Sequence, residues 1–465
     1  MKKNQFIKAK IENLGYNGEG VFHADGTTVF VPFCIPGETV NVKILKVKNS
    51  IAYGKIESVL QSSSSRVEPK CPVFKKCGGC QLQHLSYTVQ LEFKKSLVEN
   101  CLKKIGHVEF NVDSCVPSPS EYEYRNKLQL PIRSEKGVNK IGFFRENSHQ
   151  IIEISKCNLH PVWAEQIIEI IKNYIEENKV SCYNEETHSG LIKHLVVREV
   201  LGELLIVLVV NGTKIPFVNR LIEGLSIKFD KFSLILNENL KNTNVIFGDK
   251  FTTLYGSGKI NLTEFGITYS IGTQSFMQVN QSQKVNLYNK VLQLCEINEN
   301  TVVIDGYSGA GVLTAMVGKK AKKAVGVEII KEAVESANLL AKQNGLSEKM
   351  ENVCGDCGEI LPGVIEKYKA ENNQVVLILD PPRKGVDEKI INQILKSLPD
   401  RIIYVSCSPQ SLARDLGLIL GNLVFNGKQI INGTGNNLYQ IESITPFDMF
   451  PQCKHVESVV CLTRK

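Results

Sequence analysis

The sequence predicts an α/β protein in which a Rossmann-like, doubly wound domain follows an N-terminal OB-like β-barrel and a mixed α+β central domain. Three observations predict it. Strands and helices alternate from residue 265 onward and the strands are apolar nearly throughout, the pattern of a parallel sheet covered on both faces. The first sixty residues read as short strands broken by turns such as "ADGT" and "IPGE", as in a small antiparallel barrel. Between these regions, strand-like "KLQLPIR" and "LLIVLVV" flank helix-like "AEQIIEIIKNYIEEN". The expected divisions are 1–60, 71–260 and 265–465, with "QSSSSRVEPK" at 61–70, polar and aperiodic, as the linker.

At 465 residues the chain exceeds one ordinary core, and 43% hydrophobic with 22% charged residues is the balance of a globular protein. The longest apolar run, Leu204 to Val210, is far shorter than a bilayer span, and "MKKNQFIKAKIE" has no apolar stretch behind its positive charge. These features predict a cytoplasmic protein with no membrane partner, and a monomer is the default. In the barrel, eight lysines face five acidic residues, a balance that suits single-stranded nucleic acid. Fourteen cysteines in a reducing compartment point to metal binding or chemistry where they cluster.

The first cluster is "CPVFKKCGGCQLQH", which sets Cys71, Cys77 and Cys80 in a C-x5-C-x2-C pattern. Zinc and a four-iron cluster both take four ligands, and Cys157 in "EISKCNLHP" is a candidate fourth. Spacing alone leans slightly to zinc. Further on, "GLIKHLVVREV" puts Lys193, His194 and Arg198 on a strand, either as support at a sheet edge or as cations that steer RNA phosphate.

The C-terminal domain carries the densest signal. "VVIDGYSGAG" ends a strand in Asp305 and enters a helix through Gly306, Gly309 and Gly311, a turn that lets a ligand approach backbone. Glu328 ends the next strand, where a carboxylate can accept from two ribose hydroxyls. The spacing G-x-x-G-x-G, with bulky Tyr307 in the turn, favours S-adenosylmethionine over a dinucleotide. Asp356, in "CGDCGE", is placed to accept from an adenine amino group, and no helix start is evident after it.

Two further strand ends supply the chemistry. "LILDPPRKG" ends in Asp380 before two prolines, and "YVSCSPQSLARDL" ends in Cys407 before a Ser-Pro turn and a helix. A thiol there should face the crevice with its pKa lowered by the helix N-terminus. A methyl donor, a thiolate and a base together suit carbon 5 of uracil. Thiolate addition at carbon 6 makes carbon 5 nucleophilic, and a base must later remove its proton. Glu457 in "DMFPQCKHVE" is the candidate base, with His455 nearby.

Taken in order, "SFMQVN", "DGYSGAG", "DPPRKG", "YVSCSPQSLARDL" and "DMFPQCKHVE" resemble the RNA uracil-5-methyltransferase family. The cysteine segment resembles that of its iron-sulfur 23S ribosomal RNA branch, and the first sixty residues resemble a TRAM domain. The resemblance implies that Cys407 is the nucleophile and Glu457 the base. It also implies that Gln278, Tyr307, Glu328, Asp356 and Asp380 bind S-adenosylmethionine or the target base, and that Cys71, Cys77, Cys80 and Cys157 hold a [4Fe-4S] cluster. The implied activity is S-adenosylmethionine-dependent formation of 5-methyluridine in ribosomal RNA. Transfer RNA is the alternative substrate, and a non-catalytic iron-sulfur RNA-binding factor is the alternative of another class. The family usually has an aromatic residue where Met277 stands, Asn or Asp at Ser408, Thr at Cys453 and a polar residue at Val312.

Overall fold

The computed structural model describes residues 1–435 and 438–465. Its N-terminal part is a six-stranded sheet in the order Phe6–Lys10, Thr39–Lys48, Ile51–Gln61, Thr27–Val31, Gly20–Ala24, Asn13–Leu14. Alternation in Thr39–Lys48 sends Val40, Val42 and Ile44 inward, where they pack on Val29 and Val31. The segment read as a linker is pinned rather than loose. Arg66 pairs with the fully buried carboxylate of Glu38 at 2.5 Å and donates to the Phe33 carbonyl.

The central part is a seven-stranded sheet ordered Lys250–Tyr255, Phe232–Glu238, Glu203–Val210, Ile192–Val200, Lys127–Glu135, Val138–Phe144, Ile151–Glu153. One face holds Ile167, Ile171 and Leu221 of the helices Val162–Glu177 and Val218–Ser226. On the other face Val196, Leu205 and Val207 join a core that includes Leu287 and Val303 of the C-terminal part. The strand of Lys193, His194 and Arg198 lies inside this sheet, so it supports no edge. Lys193 is 3% exposed and its ammonium donates to the carbonyls of Asn239 and Lys241, so it is occupied structurally.

The C-terminal sheet runs Met350–Cys354, Lys323–Glu328, Thr301–Gly306, Gln374–Leu379, Arg401–Ser406, Glu457–Arg464, Tyr439–Phe447. The first five strands are parallel and the last two antiparallel. Helices cover both faces, with Val312–Gly318 and Lys331–Gln343 on one and Cys357–Ala370, Glu388–Ser397 and Pro409–Ile419 on the other. This burial explains the near-continuous apolar strands. Strand order reverses beside Thr301–Gly306, which opens a crevice at the carboxyl ends. Among the described residues no helix is long and apolar enough to cross a membrane.

Candidate active site and cysteine centre

The crevice begins at the Gly-rich turn. Tyr307 adopts φ 66° and Gly311 φ 79°, conformations that cost a non-glycine residue energy and concentrate at functional sites. A Cβ on Gly311 would stand 2.7 Å from Cβ of Ala337. The turn is held by Glu328, whose two carboxylate oxygens accept from the amides of Gly309 (3.0 Å) and Ile330 (2.9 Å). Tyr307, Glu328, Ile329, Asp356, Pro382 and Lys384 line one cleft of about 730 Å³. An acidic strand end, a tyrosine wall and exposed Ile329 and Ile330 suit the ribose and adenine of S-adenosylmethionine. Asp356 also caps a helix that starts at Cys357, accepting from the Gly358 amide at 2.8 Å. A helix start therefore does follow "CGDC". Cys354 is exposed at the strand end and Cys357 is buried behind it.

Next to this cleft stand the three reacting groups named from the sequence. Cys407 follows the strand Arg401–Ser406, and Glu457 opens the antiparallel neighbour, where Ser406 pairs with Ser458. Asp380 follows the adjacent strand Gln374–Leu379. Burial, then the Asp380 charge, pushes the Glu457 carboxyl up to about 8, and burial pushes Asp380 up to about 7. The Cys407 thiol does not have the lowered pKa expected of it. Burial first, and the Glu457 carboxylate second, push it up to about 11, outweighing Arg383 and the thiol's own backbone amide.

The loop that carries Asp380 is fixed from below. Arg414 donates to the carbonyls of Lys384 and Val386, Asp415 accepts from the Val386 amide, and Ser411 donates to the Arg383 carbonyl at 2.9 Å. Those three side chains belong to the helix Pro409–Ile419, which follows Cys407. Cys407 and the loop therefore share one support. Gln278 lies just before the helix Gln281–Leu294, 8% exposed, with its backbone carbonyl accepting from Asn126. Gln278, Cys407 and Glu457 lie outside the lining of the cleft, which the Asp380 loop connects to them.

Two residues near this trio went unassigned in the sequence. Arg383 lies beside the proline pair, and its exposed guanidinium lowers the pKa values of both Cys407 and Glu457. Tyr288, on the helix after Gln278, faces Asp380, Asp305 and Glu457, and its phenol is pushed upward by burial and those charges. Only the position of Tyr288, eight residues into that helix from its Asn280 cap, could have signalled it. Asp305 is itself buried and is pushed up to about 7, with Thr314 donating to it at 2.6 Å.

Cys71, Cys77, Cys80 and Cys157 all line one cavity with Phe74, Phe143 and Arg125. The cysteine segment is tightly wound there. Cys77 N donates to Val73, Gly79 N to the Cys77 sulfur and Cys71 N to Gln83. Among the described residues no three His, Cys, Asp or Glu side chains are gathered closely enough to hold a metal ion. Four thiols lining one cavity supply the four ligands that either a zinc ion or a four-iron cluster takes. A fifth thiol, Cys453, is buried beside Cys80 and donates to the Gly79 carbonyl at 3.0 Å.

Residues 2–56 match the TRAM domain family and residues 364–465 the tRNA (Uracil-5-)-methyltransferase family. The chain is 39% identical over 470 residues to an uncharacterized RNA methyltransferase of Clostridium acetobutylicum, covering 100% of this chain and 98% of that one. A similar protein from Listeria innocua is 36% identical over 467 residues, with 100% and 99% covered. Among solved structures the chain is similar to Pyrococcus abyssi tRNA (uracil-54, C5)-methyltransferase in complex with S-adenosyl-L-homocysteine. The TM-score is 0.76 at 28% identity, over 98% of this chain and 99% of that one.

Proposed function

Because the chain belongs to the RNA uracil-5-methyltransferase family, with an N-terminal TRAM domain, we propose that it makes 5-methyluridine in 23S ribosomal RNA through a covalent adduct of Cys407. It is an RNA methyltransferase with an S-adenosylmethionine-binding fold. The observation that carries the covalent reading is the meeting of Cys407, Glu457 and Asp380 at three adjacent strand ends beside the cofactor-type cleft.

Cys407 loses its thiol proton to solvent and adds as the thiolate through sulfur to carbon 6 of the uracil, and the carbon 5–carbon 6 π pair moves into an enolate. Bound S-adenosylmethionine supplies an electrophilic methyl group for carbon 5. Gln278, Tyr307, Glu328 and Asp356, with Asp380, are the residues that would hold it against the base. Glu457 then takes the proton from carbon 5, the double bond re-forms and the Cys407 thiolate leaves. Once ionised, a carboxyl near 8 is a stronger base for that proton than an ordinary carboxylate. Asp380, near 7, is available in either form to accept from uracil N3–H or donate to O4.

The cysteine centre is read as a [4Fe-4S] site on Cys71, Cys77, Cys80 and Cys157. Four thiolates close the irons, so its contribution is a cross-link that shapes the RNA-binding side. Ribosomal RNA is the preferred substrate because the cysteine segment resembles the ribosomal branch. The whole-chain likeness to the Pyrococcus abyssi enzyme favours transfer RNA as the second reading.

The test uses transcripts of both RNAs containing 5-fluorouridine. Fluorine cannot leave as a proton, so a covalent complex that survives denaturation is expected with wild-type enzyme and S-adenosylmethionine. Cys407→Ala protein forming that complex would exclude the nucleophile. Trapping of the transfer-RNA transcript alone would replace the substrate, and trapping of neither would favour a non-catalytic RNA-binding factor.

A further inference from the structure

The barrel turn joining Asn13–Leu14 to Gly20–Ala24 leans over the catalytic domain. It is rigid without help from the Tyr16 side chain. Gly15 N donates to the Glu19 carbonyl at 2.7 Å, Gly18 N to the Gly15 carbonyl at 3.0 Å, and Asn17 N to the Glu19 carboxylate at 2.9 Å. Gly18, at φ 82°, sits so close to the cysteine segment that a Cβ there would stand 2.6 Å from a methyl of Leu82. The turn is therefore docked as well as stiff.

Tyr16 stands at its tip, 38% exposed, and its hydroxyl has no hydrogen-bond partner among the described residues. A tyrosine used for packing would be buried and its hydroxyl satisfied. Instead the ring faces the catalytic domain. The Lys454 ammonium lies 5.6 Å from its centroid, and the same ammonium donates to the Asn17 side chain. The phenol also lies within electrostatic reach of Cys101, Arg383 and Cys407, the last the proposed nucleophile. Neither Lys454 nor Arg383 has a carboxylate partner in an ion pair among the described residues. An exposed aromatic face flanked by two uncompensated cations, within electrostatic reach of the catalytic thiol, matches what an unstacked nucleotide requires: a platform for the base and positive charge for its phosphate.

We propose that Tyr16, Lys454 and Arg383 form a subsite for one unstacked RNA nucleobase and its phosphate next to the target uridine, built jointly by the barrel and the catalytic domain. The inference rests on the reading of the chain as a uracil-5-methyltransferase. Extracting a uridine breaks its stacking with its neighbours. A platform beside the thiol replaces one of those stacks and holds the strand open while Cys407 adds.

The experiment uses the full-length enzyme and an unmodified 23S ribosomal RNA transcript. Tyr16→Ala is expected to raise KM for the RNA about tenfold while kcat changes little, the scale of one lost base–aromatic stack. Tyr16→Phe should keep parental KM, since it keeps the ring. Tyr16→Leu keeps apolar volume but not a π-face, so it should behave as Tyr16→Ala. Tyr16→Trp adds a reporter, because the single natural tryptophan, Trp163, is 8% exposed in the central core. Its added emission should be quenched when RNA binds, with no matching change in the parent. Parental KM in the Ala variant, rescue by Leu, or an unquenched indole would each overturn the subsite. Failure of the parent to trap 5-fluorouridine RNA would instead overturn the reaction, and the quench would still decide the subsite.

Discussion

A protonated Glu457 and a protonated Cys407 coexist in the free site at pH 7, because burial raises the carboxyl to about 8 and the thiol to about 11. The base must be ionised to accept the carbon 5 proton and the thiol to add to the ring, so kcat/KM should climb steeply between pH 6 and 8.5 and more gently above, as the thiol ionises. A rate that is flat over that range would remove Glu457 as the base. Glu457→Gln should turn over slowly and accumulate the RNA adduct on ordinary uridine, seen as a protein–RNA band resistant to denaturant. The same carboxyl makes a stability prediction. Its folded pKa lies above its unfolded value near 4.5, so the folded state holds the proton more tightly and its stabilising effect is complete below about 4.5. That effect is lost as pH rises towards 8. Glu457→Gln should therefore be more stable than wild type at pH 9 by a few kcal/mol, with a gap that closes at pH 4 to 5 in thermal melts.

At the level of elements, the chain from Asp448 to Glu457 matters most, since it delivers Glu457, the proposed base, to the sheet. It is gripped from the helix Tyr87–Cys101. Lys94 and Asp448 form an ion pair with both side chains fully buried, and Lys94 also donates to the Phe450 carbonyl at 3.0 Å. Gln90 exchanges two hydrogen bonds with Gln452. Lys94→Met leaves Asp448 buried and unpaired, so it should destabilise the protein by about 3–5 kcal/mol in urea titrations. Adding Asp448→Leu should recover most of that loss, and a double variant as unstable as the single would assign the cost to packing instead. None of this pairing was visible beforehand, because Lys94 and Asp448 lie 354 residues apart. The strand ends were legible, since an apolar run that stops at Asp305, Glu328, Asp380 or Cys407 is a local pattern. The direction of the Cys407 shift was not, because it depends first on tertiary burial and then on Glu457, which arrives from another strand. For the same reason the interior place of Ile192–Val200 was hidden, as its neighbours come from both sides in sequence.

Across the whole molecule the segment Cys71–His84 touches every part. Phe74 meets Phe33 of the barrel at 5.4 Å, Leu82 underlies the turn of Tyr16, and the amides of Gln81 and Leu82 donate to the Gln452 carbonyl ahead of Glu457. Cys157 brings in the central part through the shared cavity. The four cysteines of the proposed centre, three in this segment and Cys157 outside it, sit where these contacts meet, so ligation there would fasten the parts together. On the proposed [4Fe-4S] reading, removing two ligands with Cys71→Ser and Cys77→Ser should abolish bound iron and sulfide. It should also speed amide exchange in the segment, in the barrel turn at 15–20 and in residues 450–457, while the parallel strands Thr301–Gly306 and Gln374–Leu379 keep their protection. RNA affinity and kcat should fall together, because the barrel platform and the catalytic base are loosened by one event. If faster exchange were confined to 71–84, with kcat intact, the centre would be a local staple and the base would owe its position to the Lys94–Asp448 pair alone.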